Sequence, residues 1–230
     1  MLMAHIDVLK KALLFQGVAT PDLRAMLECL EPKLVAYRKN DFIAISGERF
    51  ESIGIIVSGK VAVVKENAAG DRIVIDILEP GALCGAEIVF TTDAVWPNSV
   101  VAQETGEVLF ISKRKILGQC YKVCLRHRLI IENMLKIVSE KVMLLNKRVE
   151  YLTIKSMRGR IAAFLLEEYG RTGRTIIDLT LNRNEMAEFL HVSRPSMSRE
   201  LGRMKKEGII DFYLSTIRIK DLDALKGMAG

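Results

Sequence analysis

From Arg126 to Leu152 the chain runs for about 27 residues without a proline or a glycine, and Ile130, Met134, Ile137, Val138, Leu144, Leu145, Val149 and Leu152 recur at helical steps. At 1.5 Å per residue this predicts an α-helix roughly 40 Å long. A helix of that length has more apolar edge than a small domain can cover. A seam with the same helix of a second chain copy is its natural cover. Packing on its own domain alone is the competing arrangement.

The text on either side of this helix differs in period. From about Leu34 to Ile116, short β-branched runs such as "DFIAI", "SIGIIVSG", "KVAVVKE", "RIVIDIL", "NSVVAQE" and "EVLFIS" alternate with turn residues, among them Gly47, Gly59, "NAAGD" and "EPGA". Many short strands at near-regular spacing describe an all-β sandwich or barrel. The stretch "DLRAMLECLEPKL" before it has helical spacing. After the long helix, "MRGRIAAFLLEEYG" reads as a helix stopped by Gly170, "TIIDLTL" as a strand, and "GIIDFYLSTIRIKD" as a hairpin turning at Leu214–Ser215. Two helical stretches lie between that strand and the hairpin, so the last third is a small α+β domain.

Those two helices carry the chemistry. Asn182 with Glu185 three residues on has the form of a capping box. Ser193 is placed to cap the next helix, with Pro195 in its first turn, where a missing N–H costs nothing. Met197, Leu201 and Met204 fall on one face, whereas Arg194, Ser196, Ser198, Arg199 and Arg203 fall on the other. Short hydroxyls suit phosphates, and a guanidinium can fork onto guanine O6 and N7, so this is what a helix lying in the DNA major groove needs. An ordinary solvated amphipathic helix has the same gross pattern. The preceding helix and following hairpin tip the reading towards DNA. Charge agrees: of the net +6, the region from Ile154 onward has 14 Lys and Arg against 10 Asp and Glu.

Other classes lack their residues. No apolar run of about eighteen residues predicts a membrane span, and the N-terminus lacks the order of a signal peptide, so a cytoplasmic location is expected. Cys29, Cys84, Cys120 and Cys124 are too scattered for a disulfide framework. No P-loop, paired-carboxylate or Ser–His–Asp pattern is present. A catalytic metal in the β region would need histidines, and His5, His127 and His191 all fall outside it. A regulatory module acting on a protein partner without DNA would leave Arg194, Ser198, Arg199 and the hairpin without a purpose.

With "RNEMAEFLHVSRPSMSREL" read in this way, the chain resembles the CRP/FNR family of bacterial transcription regulators over nearly its whole length. The resemblance implies an α+β fold in three parts: a β-roll (jelly-roll) sensor domain over 1–120, a long dimerisation helix over 121–153, and a winged helix-turn-helix over 154–230. It also implies a homodimer on a two-fold symmetric double-stranded operator, contact with RNA polymerase, and an effector or redox signal relayed through a hinge near Thr153–Ser156. Arg183 matches a phosphate-contacting arginine, and Arg194, Ser198 and Arg199 match recognition-helix positions. Two departures stand out. Pro195 replaces a glutamate that accepts from a base, implying a different preference at that base pair, and His191 stands where the turn commonly has glycine.

The effector is not carried over. The glutamate that holds a cyclic nucleotide's ribose falls on Ala86, and the Arg–Ser pair for its phosphate falls on Trp96–Pro97, which disfavours cyclic AMP. An FNR-type iron–sulfur cluster needs a group of cysteines near the N-terminus, where Cys29 stands alone. Cys120, Cys124 and His127 have the spacing of one helical face and would suit a metal or thiol-redox site. Equally, they suit apolar packing and a solvated cationic turn. His5, Met3 and His127 leave haem open. What remains is an unidentified uncharged or weakly anionic small molecule, with Cys84, Gly85, Glu87, Trp96, Asn98, Ser99, Leu145 and Asn146 as candidate walls. Trp96 as core filler and Asn146 as a seam residue are the alternatives.

Overall fold

The structure, a computed structural model, describes residues 5–66, 72–118, 125–179 and 181–229, and the backbone alone of 125 and 126. It divides into two compact units, Met1–Glu140 and Lys141–Gly230.

The first unit opens with helices α1 (Ile6–Lys11) and α2 (Thr20–Leu30) and then forms two antiparallel four-stranded sheets. The strands are β1 (Lys33–Tyr37), β2 (Phe42–Ala44), β3 (Ser52–Ser58), β4 (Val61–Glu66), β5 (Arg72–Leu78), β6 (Leu83–Cys84), β7 (Ser99–Ala102) and β8 (Gly106–Ser112), followed by the short helix α3 (Lys113–Ile116). One sheet has the order β1-β8-β3-β6 and the other β2-β7-β4-β5.

Strand β3 explains why this run is apolar on both faces. Ile53, Ile55 and Val57 join Leu109, Ile111 and the α1 and α2 residues Leu9, Leu23 and Leu30 in one core. Ile56, one step out of phase, joins Cys84, Trp96, Val100 and Val108 in a second core. The period of two thus serves two interiors. Gly54 allows the close approach, since a β-carbon there would overlap the Cys84 sulfur.

Helix α4 (Leu125–Thr153) is the long helix that the spacing predicts. Within the first unit, Ile130 and Met134 enter the core, and the buried Asn133 donates from Nδ2 to the carbonyls of Leu14 (3.0 Å) and Gln16 (2.9 Å). Along the rest of the helix Leu135, Val142, Met143, Leu145 and Val149 are all at least half exposed. That is the apolar edge the sequence leaves uncovered.

The second unit contains α5 (Met157–Thr172), β9 (Ile176–Asp178), α6 (Arg183–Phe189), α7 (Arg194–Lys206), β10 (Ile210–Tyr213), β11 (Thr216–Ile219) and α8 (Leu222–Met228). Its three strands are antiparallel in the order β10-β11-β9. Met186, Leu190, Met197, Leu201, Met204, Ile210 and Ile217 share its core with Ile161 and Leu165 of α5. One boundary differs from the reading above. Helix α5 continues through Gly170 and ends at Gly173, whose φ of 66° supplies the left-handed cap. A glycine is tolerated inside a helix at modest cost, and it is the left-handed turn that stops one.

Candidate nucleic-acid interface

Helices α6 and α7 are set by the local signals already named. The Asn182 side chain accepts from the N–H groups of Asn184 and Glu185, and Glu185 accepts from the Asn182 N–H at 2.7 Å, completing the box. The turn passes through His191 at φ 51°, the left-handed conformation for which glycine is usual. Ser193 then caps α7: its hydroxyl accepts from the Ser196 N–H (3.3 Å) and donates to the Ser196 hydroxyl (2.8 Å).

Once started, α7 divides by face. Met197, Leu201 and Met204 are fully buried or nearly so. Arg194, Pro195, Ser198, Arg199 and Arg203 are exposed, and Ser196 is half-buried. Arg199 lies back over the first turn, within 3.3 Å of the Ser196 hydroxyl and 3.4 Å of the Pro195 carbonyl. These are weak, exposed bonds, readily exchanged for bonds to a ligand. Arg203 donates to Glu200 at 3.2 Å.

Arg183, at the start of α6, reaches the hairpin. It stacks over the Phe212 ring at 5.1 Å and donates to the Leu214 carbonyl at 3.1 Å. Partial burial pulls its pKa below the ordinary guanidinium value. Lys205 lies over the same ring at 5.0 Å and pairs with Asp211 at 2.6 Å. A shared aromatic thus ties the hairpin to the first turn of α6 and the last of α7.

Several contributors escape a reading by motif. Glu200 is a carboxylate on the buried face of α7. Its spacing, three from Met197 and four from Met204, marks that position in the sequence. Arg158 holds it from α5. Arg160 donates from Nε to the Ile154 carbonyl (2.9 Å) and from one terminal nitrogen to the carbonyls of Leu190 and His191 (both 3.3 Å). Tyr151 stacks edge-on against Phe189 at 5.3 Å and donates to Glu167 at 2.6 Å, and Lys147 pairs with the same carboxylate. Burial, then the Glu167 hydrogen bond, push the Tyr151 hydroxyl above the ordinary phenol range.

The candidate effector walls are divided between the two units. Cys84 and Trp96 belong to the inter-sheet core, where Trp96 is 3% exposed and meets Phe50 edge-on at 5.0 Å. Gly85 packs against both rings and has a φ of 83°. Asn98 and Ser99 are half-buried, and the Ser99 hydroxyl accepts from the Ser46 N–H at 3.1 Å. Glu87 is exposed. Leu145 and Asn146 belong to the second unit and are exposed there. Of the candidate metal ligands, Cys120 and Cys124 lie outside the described residues, as does Met3. His127 is buried, and its Nδ1 has no partner among the described residues. His5 faces Glu107 at 3.2 Å. Among the described residues no three His, Cys, Asp or Glu side chains gather as a metal site, and no helix is long and apolar enough to cross a membrane.

The inter-sheet core does not fit a cyclic phosphate. Its side chains are neutral, and burial, helped by the nearby Glu87 charge, pushes the Cys84 thiol up to about 12. The indole Nε1–H of Trp96 is its buried donor without a partner among the described residues. A phosphate there would lack its guanidinium.

Comparison with known proteins places both units. The model of a cyclic nucleotide-binding domain matches residues 34–121, and that of a Crp-like helix-turn-helix domain matches residues 159–228. The chain belongs to the CRP/FNR family. Among its relatives, the anaerobic regulatory protein of Bacillus subtilis is 24% identical over 82% of this chain and 79% of its own. The cyclic AMP receptor protein of Thermus thermophilus is 23% identical over 96% of this chain and 98% of its own. The fold is that of the Thermus thermophilus catabolite activator protein, with a TM-score of 0.54 at 22% identity, covering 95% of this chain and 98% of that one. Like other CRP/FNR members, the chain is a DNA-binding transcription regulator rather than an enzyme, and it binds DNA as a dimer.

Proposed function

We propose that this CRP/FNR regulator reads a two-fold symmetric operator with α7 in the major groove, with Arg194 and Arg199 on base edges and Ser193, Ser196, Ser198, Arg203 and Arg183 on phosphates. One observation carries the reading: the exposed face of α7 holds Arg194, Ser198 and Arg199 side by side, while its opposite face is locked into the core. The family's order of parts supports a sensor domain over 1–120, a dimer seam along 121–153 and a DNA-binding domain over 154–230, in a cytoplasmic homodimer that contacts RNA polymerase. Pro195 offers no acceptor to a base amino group, so the half-site differs at that base pair from operators read by a glutamate.

The signal is an uncharged or weakly anionic small molecule taken by the β-roll. The neutral inter-sheet core supports that class, and titration of the protein with cyclic AMP is expected to release no heat. The deciding experiment is selection of operators from a random duplex library by the full-length protein, followed by footprinting. A palindromic consensus is expected, lost when Arg199 is replaced by alanine. Enrichment of no sequence would overturn the proposal.

A further inference from the structure

Glu200 is 7% exposed, and its two oxygens are divided between two arginines. Oε1 accepts from Arg158 Nε at 2.5 Å, and Oε2 accepts from Arg203 at the longer distance of 3.2 Å. Arg158 stands in the first turn of α5 and is also forked onto Glu207, its two terminal nitrogens 2.7 and 2.8 Å from the carboxylate oxygens. Glu207 first, then Glu200, push its pKa above the ordinary guanidinium value. Arg203, by contrast, is 69% exposed and makes this one ion pair among the described residues.

The arrangement is a competition between two cations for one buried carboxylate. We infer that Arg158 is a positioning residue for DNA binding: by neutralising Glu200 from the inner side, it leaves Arg203 free to exchange that carboxylate for a phosphate oxygen. The inference rests on the reading of α7 as the DNA-contacting helix. An uncompensated Glu200 would hold Arg203 in a charge-assisted bond that DNA would have to break. With Arg158 in place, the Arg203 bond is the longer of the two and half-buried, and it is made from a side chain that is 69% exposed, so it is readily exchanged. Arg158 itself is taken up by the buried Glu200 and, in an exposed fork, by Glu207.

The salt dependence of binding to a selected operator separates this role from simple bracing. Each phosphate contact adds about 0.9 to the slope of log affinity against log salt, so losing Arg203 from both protomers flattens it by about 2. Arg158→Met is expected to flatten it by the same amount, and Arg203→Met added to that variant is expected to change nothing more. Adding Glu200→Gln to Arg158→Met should restore the slope, because a neutral amide no longer retains Arg203. An unchanged slope in Arg158→Met, or no restoration by Glu200→Gln, would overturn the inference. If Arg158→Met does not fold, Glu200→Gln alone decides. It keeps the volume and an acceptor for Arg158, so a slope at the unmodified value is expected, and one flattened as in Arg203→Met overturns the role. Failure of the unmodified protein to select any duplex removes the DNA reading, and this inference with it.

Discussion

Around Trp96 the first unit builds an interior from neutral side chains, with a thiol held protonated and an indole N–H that has no partner among the described residues. Around Glu200 the second unit takes a carboxylate into its core and answers it with guanidinium groups from α5 and from α7 itself. A neutral interior can exchange its contents for a neutral ligand at little electrostatic cost, whereas a buried ion cannot lose its partner cheaply. A polyanion is the opposite case: it needs charges held in place but not spent, which a shared carboxylate provides. The second unit is therefore the more sensitive to pH and salt, and the first to volume.

The largest expected effects test whether the two interiors are independent. Leu109 and Leu201 are each at most 1% exposed, one in each unit's core. Replacing either by alanine is expected to cost about 2–5 kcal/mol. Hydrogen exchange should report the loss in the amides of β3 and β8 for Leu109→Ala, and in α6 and α7 for Leu201→Ala. If either substitution speeds exchange equally in both units, they unfold together and the comparison breaks.

Next in size is Arg199→Ala, which removes an exposed side chain whose bonds, among the described residues, are to its own helix turn. Operator affinity should fall by about 1–3 kcal/mol while the unfolding temperature holds. A large fall in unfolding temperature would mean that the side chain supports the fold rather than reads DNA.

Acid sharpens the contrast further. Burial pushes Glu167 up, but hydrogen bonds from Lys147 and Tyr151 outweigh it and hold the group below the ordinary carboxylate range. The Arg158 fork does the same for Glu207, and Lys205 for Asp211. A lowered pKa gives stability that is present above the unfolded value and lost as pH falls through the folded one. All three groups lie in the second unit, so its protection against exchange should weaken between about pH 5 and pH 2 ahead of the sheets. Loss from the β-roll first would contradict this.

How much was legible in the sequence follows from the range of each interaction. The long helix, the capping box, the Ser193 cap and the Leu214–Ser215 turn are local, so spacing alone revealed them. Helix α5 was drawn short because Gly170 and Gly173 look alike until one of them must adopt positive φ. Helix α8 went unread: it is seven residues long, buries only Leu225 fully and is capped by Asp221, which resembles any loop aspartate. Arg158 was invisible for another reason, since its partners lie 42 and 49 residues along the chain. For Trp96, residue type cannot tell an aromatic that walls a cavity from one that fills it, and its packing against Phe50 and Gly85 joins residues 46 and 11 positions away, beyond the reach of a local pattern. At the junction Thr153–Ser156, where the resemblance implies a hinge, Arg160 donates to the Ile154 carbonyl and the Ser156 hydroxyl accepts from the Gly159 N–H, the first of these a contact no local pattern announces.

The smallest effect concerns the hairpin tip. Leu214 has a φ of 51° and is 76% exposed, so it bears a left-handed backbone without burying its side chain. For a residue with a β-carbon that conformation costs roughly 1–2 kcal/mol. Glycine removes the strain but adds about 0.5–1 kcal/mol of chain entropy to the unfolded state. Leu214→Gly should therefore stabilise the second unit by somewhat under about 1 kcal/mol, a rise of a few degrees in unfolding temperature. The bond from Arg183 is to the backbone carbonyl and survives the change. A loss of stability instead would mean that the exposed leucine packs on something in the free protein, and the tip would then belong with the volume-sensitive parts of the molecule rather than with the charged face beside it.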